Sequence, residues 1–238
     1  ADVKGTFGGR LSSFRTAGNV VTPVGRLSAD VEMRSVQAER YALRGIVDTD
    51  NLHLGELLSI NSLGGLTSSI AMDGSVGAGG VVADLSVNVG SIGVGANRFN
   101  NITAQGAIDH DTYVAEVHSN DKNLSFDLNS IIDLGAYIPS YEVVLKHNRA
   151  DLNALGINKR VSLSVVSLEM GVDVDGRKLV DMNRSISVVN MRYEYPDGEL
   201  LSDRLSAEIR GYDERKDISS KSDFADIVDY KFTARMES

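Results

Sequence analysis

The 238-residue chain contains no cysteine, and this absence removes several kinds of chemistry at once. Disulfides, thiolate nucleophiles and cysteine-based metal sites are all excluded. The composition fits a reducing cytoplasm or a periplasmic protein that manages without disulfides. It is unlike that of small secreted domains, which are usually rich in disulfides.

Cationic residues are also scarce. The chain has 24 lysines and arginines against 33 aspartates and glutamates, which gives a formal net charge of −9. The basic residues are scattered singly, as at Arg34, Arg44 and Lys231. Nucleic acids and anionic membrane surfaces are bound by clustered lysine and arginine. The charge pattern therefore argues against both kinds of partner.

Long apolar runs are missing as well. No run approaches the ~20 residues that a membrane-spanning helix needs, and no signal peptide is recognisable. The chain begins Ala1-Asp2-Val3 and enters patterned sequence at once, from which we expect a segment of a longer protein. With 42% hydrophobic and 24% charged residues, the composition is that of an ordered chain.

Motifs of known catalytic or metal-binding sites are absent from the sequence. There is no GxSxG or HExxH motif, no phosphate-binding loop and no dinucleotide fingerprint. The histidines at positions 53, 110, 118 and 147 have no partners at metal-ligand spacing, so we interpret each as a surface or turn histidine. The sequence predicts a protein that is not an enzyme, with no catalytic residues, metal or cofactor.

The dominant positive feature is an alternation of apolar and polar residues, seen clearly in Leu124–Leu128 and Leu205–Ile209. Successive side chains on a strand point to opposite faces, so each such run has one apolar and one polar face. Turn signals such as Asp175-Gly176 and Pro196-Asp197-Gly198 separate neighbouring runs and favour antiparallel hairpins. The predicted strands lie near residues 27–34, 41–48, 66–76, 81–94, 98–108, 112–119, 123–134, 141–148, 161–175, 177–191, 202–212 and 225–236.

Interruptions of the pattern carry information too. The apolar phase shifts by one residue at Gly90-Ser91 and at Val165-Val166. Such a shift predicts a bulge, a bend or a strand end. Helix is scarce, with a short turn expected at most within residues 49–59 or 149–156.

Strands with a single apolar face must cover that face, either with one another or with apolar material from outside. A closed β-sandwich with a packed core would show the same alternation. The 6% aromatic content, without tryptophan, favours an open trough, because large rings would fill it. The residues expected to line such a trough are Leu85, Val87, Val89, Leu124, Phe126, Leu128, Leu163, Val165, Leu168, Met170, Val172, Leu205, Ala207 and Ile209.

Three stretches of the chain resemble a known family. The first, Tyr41–Leu58, contains Asn51 followed by Leu-His-Leu-Gly-Glu-Leu-Leu. The second, Phe99–Leu134, contains Asn-Ile-Thr-Ala-Gln-Gly and then Leu-Ser-Phe-Asp-Leu. The third joins Ser187–Tyr193 to Asp217–Asp226. In this order they resemble the C-terminal region of TamB, the translocation and assembly module proteins of the AsmA-like family.

The resemblance implies an all-β fold, an elongated and curled, mostly antiparallel sheet (β-taco-like) with an apolar concave trough. Residues 1–238 would form a single segment of a larger protein, with possible sub-repeats at about 1–97 and 98–238. That protein would be periplasmic and anchored in the inner membrane. It would hold lipid acyl chains for phospholipid transport to the outer membrane and support outer-membrane protein assembly. The implied partners are phospholipid, an outer-membrane barrel protein of TamA or BamA type, and neighbouring segments of the same chain.

Two other interpretations stay open. The segment could be a structural scaffold or chaperone that binds barrel strands by adding them to its sheet edges. It could also be a closed β-sandwich that serves as an adhesion module.

Overall fold

The computed structural model describes residues 2–10, 13–37, 39–176, 183–212, 215–222 and 230–235. These residues form fifteen β-strands and one short helix. The chain divides into two compact units, residues 1–111 with 115–121 and residues 112–114 with 122–238. The predicted sub-repeats at about 1–97 and 98–238 stay a prediction.

The first unit contains seven complete strands and the helix, and β8 (Thr112–Asn120) contributes residues to both units. In chain order the first unit has β1 (Asp2–Arg10), β2 (Ser13–Thr22), β3 (Gly25–Gln37), β4 (Arg40–His53), α1 (Leu54–Leu58), β5 (Leu63–Gly77), β6 (Gly80–Val94) and β7 (Asn97–Asp109). The second unit has β9 (Leu124–Asp133), β10 (Ser140–Asp151), β11 (Val165–Asp175), β12 (Asn183–Tyr195), β13 (Gly198–Tyr212), β14 (Arg215–Ser222) and β15 (Tyr230–Arg235).

Each unit is a meander of antiparallel hairpins. In the first, every strand from β1 to β6 pairs with the strand that follows it. The same holds from β9 to β14 in the second unit. Among the described residues β1 pairs with β2 alone, so the first sheet keeps a free edge and does not close into a barrel. The prediction of an all-β, antiparallel fold is confirmed.

Every predicted strand overlaps an observed one, although residues 177–182, 225–229 and 236 of the predicted ranges lie outside the described residues. The alternation analysis missed β1, β2 and β14. In β1 and β2 glycines replace several apolar residues, as at Gly5, Gly9 and Gly18, so the apolar signal is diluted. The short helix α1 lies inside the predicted range 49–59.

The two predicted phase shifts are both found. Thr67 pairs with Ser91 while Ser68 pairs with Val89, so Gly90 is the extra residue of a bulge in β6. At the second shift, β11 begins at Val165. A bulge inserts one extra residue into a strand. It therefore returns the apolar residues beyond it to the apolar face after the alternation has shifted by one position.

Asparagine occupies the left-handed region inside three strands. The φ angles are 47° at Asn51 in β4, 57° at Asn101 in β7 and 54° at Asn190 in β12. Register shifts bracket Asn51 and Asn190. Asparagine tolerates this conformation better than other residues with a Cβ. Each of these three asparagines therefore occupies a position with an unusual backbone requirement.

Replacing Asn101 tests this requirement. Asn101→Val should lower the free energy of unfolding by about 1–2 kcal/mol, because a branched side chain strains the left-handed backbone. Asn101→Gly should stay within about 1 kcal/mol of the parent chain, since glycine adopts this region freely. Urea denaturation gives the values. Thr103→Val, at an ordinary exposed position of the same strand, is the matched control. Equal stability of the two Asn101 variants would contradict a conformational role.

Candidate functional site

The register of the strands decides which residues share a face, because directly paired residues in an antiparallel sheet point to the same side. In the first unit this brings apolar and small residues of β2 to β7 into adjacent rows. We call the surface they form the first apolar face. Its central rows are Gly18–Ala29–Val47–Ile70–Val87–Ala104 and Thr16–Val31–Gly45–Met72–Leu85–Gly106, and a third row is Phe14–Met33–Leu43–Gly74–Ala83–Ile108.

The second unit has a corresponding second apolar face, formed by strands β9 to β13. Its residues also line up across neighbouring strands, and successive rows lie two residues apart along each strand. The rows are Ser130–Val143–Val172–Ile186–Ala207, Leu128–Leu145–Met170–Val188–Leu205 and Phe126–His147–Leu168.

Most of the predicted lining residues lie on these two faces. The first apolar face holds the predicted residues of β6, and the second holds those of β9, those of β11 from Leu168 onward, and Leu205 and Ala207 of β13. The side chain of Ile209 lies outside the described part of the structure. Residues of β4, β5 and β10 were missed, although Val47, Met72 and Leu145 belong to the same rows. The register places Leu85, Val87, Val89, Leu124, Phe126, Leu128, Leu168, Met170, Val172, Leu205 and Ala207 on these faces. That they line a trough for lipid stays a prediction.

The placement of Leu163 and Val165 on this surface is wrong. Val165 pairs with Asp151 and Glu194, so it points to the opposite face from its neighbour Val166. Leu163 precedes β11, lies in the β10–β11 loop and is 41% exposed.

A hydrogen-bonded loop explains why the alternating residues 161–164 do not form part of strand β11. The Asn153 side chain donates to the carbonyl oxygen of Val161 at 2.7 Å. The Asn158 side chain donates to the Ser164 hydroxyl at 3.2 Å and to the Tyr193 hydroxyl at 3.3 Å. Ser164 is completely buried. These side-chain bonds compete with strand pairing, as asparagine side chains commonly do in loops.

The apolar faces are not sealed. Among the residues whose side chains are described, the only buried aliphatic ones are Leu52, Ala150 and Val165. The rows of both faces consist mainly of half-buried side chains, and Leu205 remains 43% exposed. In a closed sandwich the inward residues of two sheets interdigitate at crystal-like density. Neither unit, in its described part, has a core of that kind.

The opposite face of the first unit is charged and solvated. Arg15 donates two hydrogen bonds to Asp30, Nε to Oδ1 at 2.8 Å and Nη2 to Oδ2 at 2.6 Å, and these bonds lower the pKa of Asp30. Arg44 pairs with Asp73 at 3.0 Å. A cavity of about 520 Å³ lies among these side chains. Its lining combines these two ion pairs with apolar residues, among them Ile46 and Ala71. Because paired charges line part of it, this cavity differs from the uniformly apolar trough that the sequence predicts.

His147 is the functional candidate that the sequence analysis misjudged. It continues the alternation of β10 and sits on the second apolar face, directly between Phe126 and Leu168. Its Nε2 atom is buried without a hydrogen-bond partner. Burial lowers the pKa of His147, and a hydrogen bond with the Arg149 backbone partly opposes this effect. The prediction of a surface histidine is therefore wrong for His147, whereas His110 does lie at a turn.

Other kinds of site are not apparent in the described part of the chain. No three histidine, aspartate or glutamate side chains there are grouped to hold a metal ion. No helix among the same residues is long and apolar enough to cross a membrane. No family model, curated protein or solved structure matches the chain. The two apolar faces are thus the principal candidate site.

Truncating an apolar side chain lowers the free energy of unfolding less on an open face than in a sealed core. Leu85→Ala should lower the free energy of unfolding by about 1 kcal/mol, because half-exposed Leu85 loses little burial and leaves no enclosed cavity. Leu52→Ala should cost about 2–5 kcal/mol, since Leu52 is only 9% exposed. Urea denaturation measures both, with Ser86→Ala as a neighbouring control. Equal losses at positions 85 and 52 would indicate that the face is packed shut.

The burial of His147 predicts a pH dependence of stability. Its folded-state pKa lies below the usual 6.5, so folding favours the neutral ring. The contribution is complete above about pH 6.5 and declines as the pH falls toward the folded-state pKa. Unfolding by urea should therefore show a larger loss between pH 8 and pH 5.5 in the parent than in His147→Leu. His110→Asn, at an exposed turn, should keep the parent's profile. An unchanged profile in His147→Leu would rule out this role.

Proposed function

We propose that the two apolar faces hold the acyl chains of lipids, and that the chain is a segment of an envelope protein that moves phospholipid. The observation that carries the proposal is a surface of aligned apolar rows whose described side chains stay half-buried rather than packed into a core. Acyl chains would supply the missing layer, with the headgroup left at the solvent.

Leaving such apolar rows in contact with water is unfavourable. Apolar surface costs about 25 cal/mol per Å² when it is exposed, and soluble monomers rarely expose patches above a few hundred Å². The first apolar face alone extends over six neighbouring strands. A bound acyl chain would gain about 0.8 kcal/mol for each CH₂ group that leaves water. A long flexible apolar ligand therefore suits the surface.

The chemistry of the lining favours a ligand that slides. The central rows of the first apolar face, those through Val87 and Leu85, contain only aliphatic residues, glycine, threonine and methionine. They offer no charge that could fix a headgroup at one position. The binding free energy of a lipid would thus be similar at every position along the rows. The lipid could therefore slide along them without first leaving a deep energy minimum.

The setting and partners of this activity rest on the resemblance to TamB proteins. On that basis we place the chain in the periplasm, within a protein anchored in the inner membrane. It would carry phospholipid toward the outer membrane and assist outer-membrane protein assembly with a barrel partner of TamA or BamA type. Neighbouring segments of the same protein would extend the apolar surface.

A scaffold that binds barrel strands at its edges is the second candidate. It is supported by β1, in which every residue is exposed and which pairs with β2 alone among the described residues. The closed adhesion sandwich is disfavoured, since the half-buried apolar rows lack the packed core that such a fold requires.

Photocrosslinking tests lipid binding directly. A photoreactive amino acid would replace Phe126 or Val87 on the apolar faces, and Asp127 or Asn88 at the adjacent positions of the opposite faces. The variants would be mixed with vesicles of phosphatidylethanolamine and phosphatidylglycerol and irradiated. We expect lipid adducts, identified by mass spectrometry, at positions 126 and 87 but at most traces at 127 and 88.

Adjacent strand positions control for folding and for proximity to the vesicle. Circular dichroism would verify that each variant retains its strands. Equal labelling at neighbouring positions would indicate nonspecific contact with the membrane. Absence of adducts at all four positions in folded protein would reject lipid binding and favour the scaffold.

A further inference from the structure

His147 is a polar interruption of an otherwise apolar row. The register places it directly between Phe126 of β9 and Leu168 of β11, and its neighbours on the same face of β10 are Leu145 and Ala150. The residue is half-buried, and its Nε2 atom is buried without a hydrogen-bond partner. Buried polar atoms of native proteins nearly always have a partner, so an exception calls for an explanation. A leucine would complete the row without leaving such an atom.

The described strands that pack against β10 place no charged residue beside His147 on the second apolar face. These strands are β9 and β11. The residues that they turn toward this face near His147 are uncharged, namely Leu124, Phe126, Leu128, Val166, Leu168 and Met170. The charged residues at the intervening positions belong to the opposite face, namely Asp127, Lys146, Arg149 and Glu169. One strand further, β12 places Tyr193 and Arg184 on this face, and Arg184 lies three rows from His147.

We infer that His147 makes lipid binding to the second apolar face dependent on pH, with the neutral ring admitting an acyl chain and the protonated ring disfavouring it. This inference rests on the function proposed above. A lipid lying across the row would remove the remaining water from the ring. A protonated ring would then be buried without an anion beside it, and its Nε2–H group would have no acceptor. Burying a charge in this way is strongly unfavourable.

The direction of the effect follows from linkage. Proton binding to His147 and lipid binding must weaken each other by the same factor. Burial already lowers the pKa of His147 below its usual 6.5 in the lipid-free protein. Lipid should therefore bind fully above about pH 6.5 and progressively less as the pH falls through the lipid-free pKa. Bound lipid should in turn lower the pKa of His147 further.

Photocrosslinking across a pH series tests this regulation. A photoreactive amino acid would replace Leu128, one row from His147, or Val87 on the first apolar face, whose three rows contain no titratable side chain. NMR titration of the lipid-free protein would give the pH at which half of the His147 rings are protonated. With sub-saturating phosphatidylglycerol vesicles, adducts at position 128 should fall about twofold between pH 8 and that pH, because half of the molecules then bind poorly. Adducts at position 87 should stay constant.

Two variants remove the titrating group in different ways. His147→Leu completes the apolar row, whereas His147→Gln keeps a polar but uncharged side chain. In both variants the adducts at position 128 should stay constant over the same pH range, while His110→Asn should keep the parent's decline. Circular dichroism at each pH would verify that the strands are retained. A constant yield at position 128 in the parent, or the parent's decline in both His147 variants, would overturn the inference.

The two crosslinking positions separate this inference from the proposed function. Adducts at position 87 but at no pH at position 128 would overturn the inference and leave lipid binding to the first apolar face. A parallel decline at both positions would also overturn it, because the rows of the first apolar face have no titratable group to respond. Absence of adducts at both positions at every pH, in folded protein, would reject the proposed function and the inference together.

Discussion

The register between neighbouring strands is the constraint on which the rest of this structure depends. Side chains alternate with a period of two, so a slip of one residue would send every apolar residue of a strand to the solvated face. Val31, Met72 and Leu85 form one surface only because each hairpin preserves the same parity. Where the parity slips, as at Gly90, a bulge restores it within one residue.

The two faces of each sheet consequently contribute to stability in different ways. On the polar side of the first unit, ion pairs such as Arg15–Asp30 hold charges close together at the surface. Exposed pairs of this kind contribute little to stability. On the apolar side, side chains gain burial from their strand neighbours but remain half-covered. Backbone pairing and contacts between neighbouring strands therefore stabilise each unit, and the described apolar side chains remain partly exposed.

Interruptions of regular pairing occur at specific residues. Left-handed asparagines accommodate the backbone inside three strands, and Asn153 and Asn158 hold the loop before β11 with side-chain hydrogen bonds. His147 differs, since it keeps regular alternation but brings a titratable ring onto an apolar surface. These positions mark where regular strand pairing is interrupted and where a titratable side chain enters an apolar face.

The sequence by itself determined the all-β class, most strands and most residues of the apolar faces, because a period of two is a local property of the chain. It could not exclude Leu163 and Val165 from the apolar face. Their alternation is regular, and only the hydrogen bonds of Asn158 and Ser164 with Tyr193, 29 to 35 residues away, show where the strand begins. Nor could it reveal His147 among Phe126 and Leu168, since a face is assembled from several strands. Whether the apolar rows were packed shut or left open was decided by the tertiary structure alone, because burial depends on what lies across from a face.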